Sequence, residues 1–71
     1  AGEEIVGPMA GSVIDVLVGV GDPVEPNQVV AIIEAMKMET EIRANEGGTV
    51  QAVHVEKGDA IQVNQPLITL G

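Results

Sequence analysis

Val13, Val16 and Val18 are spaced three and then two residues apart, and Val50, Val53 and Val55 repeat that spacing. Strict alternation along a half-buried strand gives two and two. The pattern therefore predicts strands over 11–18 and 48–55, each with a bulge at the same place. Gly11 and Gly48 open these runs, and Gly21-Asp22 and Gly58-Asp59 follow them as turn residues. Pro23, Pro26 and Pro66 fit edge or strand-start positions, because proline has no N–H to give a ladder. Val29 to Ile33 and Leu67 to Leu70 read as the longer apolar strands that close each half.

Both runs belong to an internal repeat. A shift of 37 residues lays 5–34 on 42–71 without a gap, and nine of the thirty pairs are identical: Ile5/Ile42, Gly11/Gly48, Val13/Val50, Val16/Val53, Val18/Val55, Gly21/Gly58, Asp22/Asp59, Asn27/Asn64 and Gln28/Gln65. Two matched half-sheets, each too thin to bury its own apolar face, are expected to pack on each other about a pseudo-two-fold axis. That predicts an all-β sandwich or flattened barrel of about eight short strands, with residues 1–71 as one domain.

The two copies meet at Glu34-Ala35-Met36-Lys37-Met38-Glu39-Thr40-Glu41. Propensity favours a helix there, since Ala, Met, Lys and Glu are strong helix formers and Ile32, Ile33, Met36 and Thr40 make a helical stripe. The repeat argues otherwise: Ile42 to Ala44 must enter the second half as Ile5 to Gly7 enters the first. A strand, a tight turn at 36–37 and a second strand meet that requirement. Lys37 then stands at a hairpin tip between two Met residues, on the symmetry axis and away from both termini. A turn lysine flanked by gap-filling core methionines is the ordinary reading of such a triplet. Apolar side chains at a hairpin tip are costly to expose, and they point instead to a surface that a protein or prosthetic group meets.

Composition narrows the function. The chain has 71 residues, twelve Val and seven Ile among them, no Phe, Trp, Tyr or Cys, and a net charge of -8. Eleven carboxylates face only Lys37, Arg43 and Lys57. That balance opposes binding to nucleic acid, which needs cations to displace counterions and aromatic rings to stack bases. No disulfide or thiolate metal site is available. No apolar run approaches the roughly 18 residues of a membrane span, and no signal peptide is recognisable, so no direct membrane insertion is expected. The start at Ala1 suggests a processed subunit or a piece of a longer chain, and the end at Gly71 suits a carrier at a C-terminus.

Catalytic groups are equally scarce. Ser12 is the only serine and His54 the only histidine, which gives no complete relay. His54, between Val53 and Val55, reads as a solvent-facing strand residue. The carboxylates lack the spacing of a calcium loop, and Gly19-Val20-Gly21 lacks the rest of a phosphate loop.

Ala35-Met36-Lys37-Met38 is the tetrapeptide of biotin-carrying domains, and the chain resembles that family from Ile5 to Leu70. Pro8-Met9-Ala10-Gly11 looks like its entry motif, Val20-Gly21-Asp22-Pro23-Val24 resembles its first loop, and Gly48-Thr49-Val50 with Val55-Glu56-Lys57-Gly58-Asp59 resembles its second half. The resemblance implies a flattened barrel of two four-stranded antiparallel sheets with Lys37 exposed in a tight turn. It implies covalent biotin, joined to Lys37 as an amide by a biotin protein ligase using ATP, with Ala35, Met36 and Met38 as the flanking recognition motif. It further implies a carrier without catalytic residues or metal. Such a carrier moves a carboxyl group between a biotin carboxylase or decarboxylase site and a carboxyltransferase site, in the cytoplasm or an organelle matrix. Some bacterial acetyl-CoA carboxylase carriers insert a protruding thumb near the first-half loop. Leu17 to Val24 has no room for one, which points to the thumbless type. Two alternatives share the fold: a lipoyl domain, which typically has Asp before and Ala after the lysine where this chain has Met, and an unmodified structural adaptor.

Overall fold

In a computed structural model, which describes residues 2–71, the chain forms eight strands: β1 (Glu4–Val6), β2 (Gly11–Val16), β3 (Pro23–Val24), β4 (Val29–Ala35), β5 (Met38–Arg43), β6 (Gly48–Val53), β7 (Ala60–Ile61) and β8 (Pro66–Leu70). They make two four-stranded antiparallel sheets, ordered β1-β8-β6-β3 and β5-β4-β2-β7. The expected bulges fall at matching places. The register slips between Val13 and Asp15 where β2 meets β4, and between Val50 and Ala52 where β6 meets β8. Both strands leave the ladder two residues earlier than the Val spacing suggests. Leu17 N–H and His54 N–H then bond to Val30 O and Leu67 O, at 2.9 and 2.8 Å.

The repeat folds differently from one layer per half. Each sheet combines two strands of the first copy with two of the second, β5 being the counterpart of β1, so the halves interleave. The cause is backbone satisfaction: β1, with three residues, and β3 and β7, with two each, are too short to form a sheet alone and pair on a longer strand. In β3 and β7 that strand comes from the other half. Crossing bonds fix the exchange, with Gly21 N–H to Val50 O (2.9 Å) matched by Gly58 N–H to Val13 O (2.8 Å).

Four of the identical pairs are explained by these turns. The Asp22 and Asp59 carboxylates each accept a backbone N–H three residues back, from Gly19 and Glu56, both at 2.8 Å. Gln28 and Gln65 accept from Glu25 and Gln62 at 2.8 and 2.9 Å. Asn27 and Asn64 adopt φ of 68° and 64°, and Gly21 and Gly58 adopt 93° and 95°, left-handed values that Gly and Asn tolerate best. Between the sheets lie fifteen buried apolar residues in one cluster, all Val, Ile, Leu or Ala, with no buried polar side chain among the described residues. Thin facing layers of branched aliphatics fill this space without aromatic rings.

The symmetry also sets the poles of the molecule. The β1–β8 pairs Glu4↔Thr69, Ile5↔Ile68 and Val6↔Pro66 repeat the β5–β4 pairs Glu41↔Ile32, Ile42↔Ala31 and Arg43↔Val29. The counterpart of the β4–β5 turn is thus the open end where β8 stops and β1 starts. Lys37 does not lie on the axis; the axis carries it to the opposite pole of a body 32 Å long. At that far pole Glu3 closes the base of the β4–β5 hairpin by accepting the N–H groups of Asn45 (2.8 Å), Glu46 (2.9 Å) and Gly47 (3.2 Å). Desolvation raises the Glu3 carboxyl, but these three donors outweigh it and hold the group below its ordinary value.

Candidate functional site

β4 and β5 form a hairpin whose last cross-strand pair is Ala35↔Met38, leaving Met36 and Lys37 as a two-residue turn. The helix that propensity favours is absent, because β4 is built into the sheet on both edges and Ile33 and Ala35 face the core. Both turn residues are left-handed, with φ of 53° at Met36 and 66° at Lys37, as a type I′ turn requires. That turn favours Asn-Gly, and a side chain such as Met or Lys costs roughly 1–2 kcal/mol per residue in this region. The hairpin therefore keeps Met-Lys at its tip against local backbone preference. Met36→Asn is expected to stabilise the protein by about 0.5–1 kcal/mol. A thermal melt checks this, and an unchanged or lower midpoint would contradict the strain at the turn.

The four residues of the motif divide into two roles. Ala35 is buried, 5% exposed, and a Cβ built on Gly11 would lie 3.2 Å from its methyl group and 2.3 Å from Glu34 O. A small residue at each position lets β2 and β4 close beneath the turn. Met36 and Met38 are 88% and 70% exposed, so neither fills the core, and Lys37 is exposed between them. Arg43 is engaged by Glu41 at 2.7 Å and by Asn27 O at 2.9 Å. Lys37 and Lys57 have no ion-pair partner among the described residues. The two lysines differ in setting: Lys57 lies in a loop between Glu56 and Gly58, without the flanking methionines.

Two polar arrangements were not legible beforehand. His54 stands just beyond β6, and its Nε2 lies 2.8 Å from Thr69 Oγ1, which donates to Glu4 Oε2 at 2.8 Å. Thr69 spends its hydrogen on Glu4, so His54 Nε2–H is the donor in the other bond. This chain of contacts lies on the outer face of the sheet containing β1 and β8 and does not involve Lys37. The second arrangement is the Glu3 clamp, whose partners are more than forty residues away in sequence. Among the described residues no group of three potential metal ligands occurs. The β2–β3 connection runs only from 17 to 22, pinned by the Asp22–Gly19 bond, and holds no inserted thumb.

A rigid β-barrel presenting one exposed lysine in a fixed turn has the architecture of a carrier domain for a covalently tethered group. A family model described as "Biotin-requiring enzyme" matches residues 3–70, and the chain belongs to that family. It is 51% identical over 63 residues to a biotin carboxyl carrier protein of Streptococcus mutans, covering 89% of this chain and 48% of that one. It is 41% identical over 63 residues to the human mitochondrial propionyl-CoA carboxylase alpha chain, covering 89% of this chain and 9% of that one. The crystal structure of Kluyveromyces lactis urea carboxylase superposes with a TM-score of 0.92 at 28% identity, over 100% of this chain and 6% of that one. The chain thus spans about half or less of each of these three proteins. By name, these relatives are a biotin carboxyl carrier protein and two carboxylases.

Proposed function

We propose that Lys37 is the residue that carries biotin, and that the chain is the non-catalytic carrier of a biotin-dependent carboxylase system. The observation that supports this most directly is the turn: an exposed lysine, held left-handed between two exposed methionines at the pole away from the chain ends. A biotin protein ligase activates the carboxyl of biotin with ATP. Lys37 Nζ then supplies the amide nitrogen and loses a proton as the nucleotide leaves. Biotin, once attached, supplies a ureido nitrogen that takes up and releases a carboxyl group. The chain's own part is mechanical. It fixes the Lys37 backbone for recognition, leaves the side chain free, and confines the cofactor near its partners. Tethering of that kind raises effective concentration to the millimolar range for short flexible linkers. A biotin carboxylase component and a carboxyltransferase component act as those partners, as the carboxylase relatives suggest.

Peptide mapping by mass spectrometry tests the assignment in protein from cells supplied with biotin. The biotinyl mass is expected on the peptide containing Lys37 and not on that containing Lys57. Attachment at Lys57, or a lipoyl mass at Lys37, overturns it.

A further inference from the structure

The two halves of the chain are bound to each other more extensively than to themselves. Among the described residues, six strand ladders form. Only β2–β4 lies within residues 2–35 and only β6–β8 within 38–71; β1–β8, β2–β7, β3–β6 and β4–β5 run between the halves. Loop bonds cross in the same way. Asn27 N–H and Ala44 N–H reach Ala44 O and Gln28 O at 2.9 Å each, and Gly7 N–H and Asn64 N–H reach Gln65 O and Gly7 O at 2.9 and 2.8 Å. A half by itself keeps one two-stranded ribbon, which is marginal in water. Each half is completed by the other, and a second copy of the chain offers the same complement.

Met36-Lys37 is the one connection between the halves, and strain is concentrated there. The non-glycine residues with left-handed φ among those described are Asn27, Asn64, Met36 and Lys37. Asn tolerates that region, whereas Met and Lys do not. Met36 is 88% exposed and Lys37 is exposed, so opening the turn gives up little buried contact. The opposite pole supplies an internal control. There β1 pairs with β8 as β5 pairs with β4, yet no turn joins them: one strand ends at Leu70 and the other begins at Glu4. The barrel therefore holds this strand pair without a covalent link across its end.

Short strained hinges between complementary parts favour exchange between copies. We propose that two copies of this chain exchange halves by opening the Met36-Lys37 turn, so that each barrel holds 2–35 of one chain and 38–71 of the other. Every ladder is remade in the exchanged dimer, and the turn alone is lost. Ala35 and Met38 of one chain then belong to different barrels. Lys37 lies on the segment that spans them and leaves the tight turn in which the monomer presents it; the consequence for biotin rests on Lys37 as the attachment residue. A closed chain offers its halves to each other at an effective concentration of roughly millimolar order. The monomer thus prevails at micromolar concentration, and exchange grows by mass action as millimolar is approached. Four ladders must separate first, so exchange occurs during folding and is slow to reverse.

The test refolds the unmodified full chain at about 10 µM and at about 1 mM and measures mass by light scattering after size exclusion. The dimer share is expected to rise at least about tenfold at the higher concentration. The isolated dimer is expected to survive dilution until it is unfolded. Met36→Asn with Lys37→Gly supplies the pair that this turn favours and is expected to lower the dimer share at the higher concentration about tenfold. Removing residues 36 and 37 joins Ala35 to Met38, leaves no turn to close, and is expected to give dimer at both concentrations. Absence of dimer in the wild type, a dimer that falls apart on dilution, or an equal share in the Asn-Gly variant overturns the exchange. With ligase, ATP and biotin, the isolated dimer is expected to take up biotin at least about tenfold more slowly than the monomer. Equal rates overturn the withdrawal of Lys37. Failure of the wild-type monomer to take biotin at Lys37 overturns instead the reading beneath it.

Discussion

Replacing Lys37 with Arg is expected to abolish biotin incorporation completely, so that avidin capture falls to background while the fold is retained. Arginine keeps the positive charge, the long stem and the left-handed backbone demand at position 37. Its guanidinium stays protonated and offers no free amine for amide formation. The side chain is exposed with no ion-pair partner among the described residues, so the change in stability should stay within about 0.5 kcal/mol. For a domain of this size that corresponds to a shift of roughly 2–4 °C in thermal midpoint. Lys57→Arg, by contrast, should leave capture at the wild-type level. Avidin capture of the Lys37→Arg protein at more than background would sink the attachment site, whatever its effect on downstream carboxyl transfer.

The second large effect is expected in the core beneath the hairpin. Ile33 is fully buried in β4, pairs with Val13 on one side and Thr40 on the other, and stands two residues before the buried Ala35. Ile33→Ala removes a branched side chain from a core with no large ring to relax into the space. The expected loss is about 2–5 kcal/mol. At roughly 0.05–0.15 kcal/mol per residue, a chain this short has total stability of only about 4–10 kcal/mol, so a large part of the folded population is at risk. The thermal midpoint should fall by more than about 10 °C. Leu70→Ala, at the counterpart position in β8, should cost a similar amount, because both side chains are almost fully enclosed by the same cluster. A loss below about 1 kcal/mol for Ile33→Ala would mean that the two sheets collapse around the deletion more readily than close packing allows. Biotinylation should fall along with the folded fraction, which separates this variant from Lys37→Arg.

These two outcomes divide the hairpin into a scaffold and a tip, and the repeat exposes the division. The first copy ends in a closed turn with Met-Lys at left-handed φ, while the corresponding strands of the second copy end apart. Surroundings differ accordingly: uncharged loops beside the turn, and a carboxylate clamped to backbone donors at the other pole.

Much of the architecture was readable along the chain, since its signals are local. Side-chain alternation marks a strand, a three-then-two spacing marks where the alternation slips, and Gly-Asp, Asn and Gln at fixed intervals satisfy particular backbone groups within three residues. The hairpin at 36–37 followed from register, against the helix preference of its own residues. Strand exchange between the sheets was not readable. It depends on which backbone edges remain unpaired once the short strands have formed, and the sequence spacing is the same for stacked and interleaved halves. The same limit hid the Glu3 clamp and the His54–Thr69–Glu4 contacts, which join residues far apart in sequence. It also hid the burial of Ala35 against Gly11. Spacing fixes what each residue does relative to its neighbours in the chain; which distant surface it meets is set by the closure of two sheets on one core.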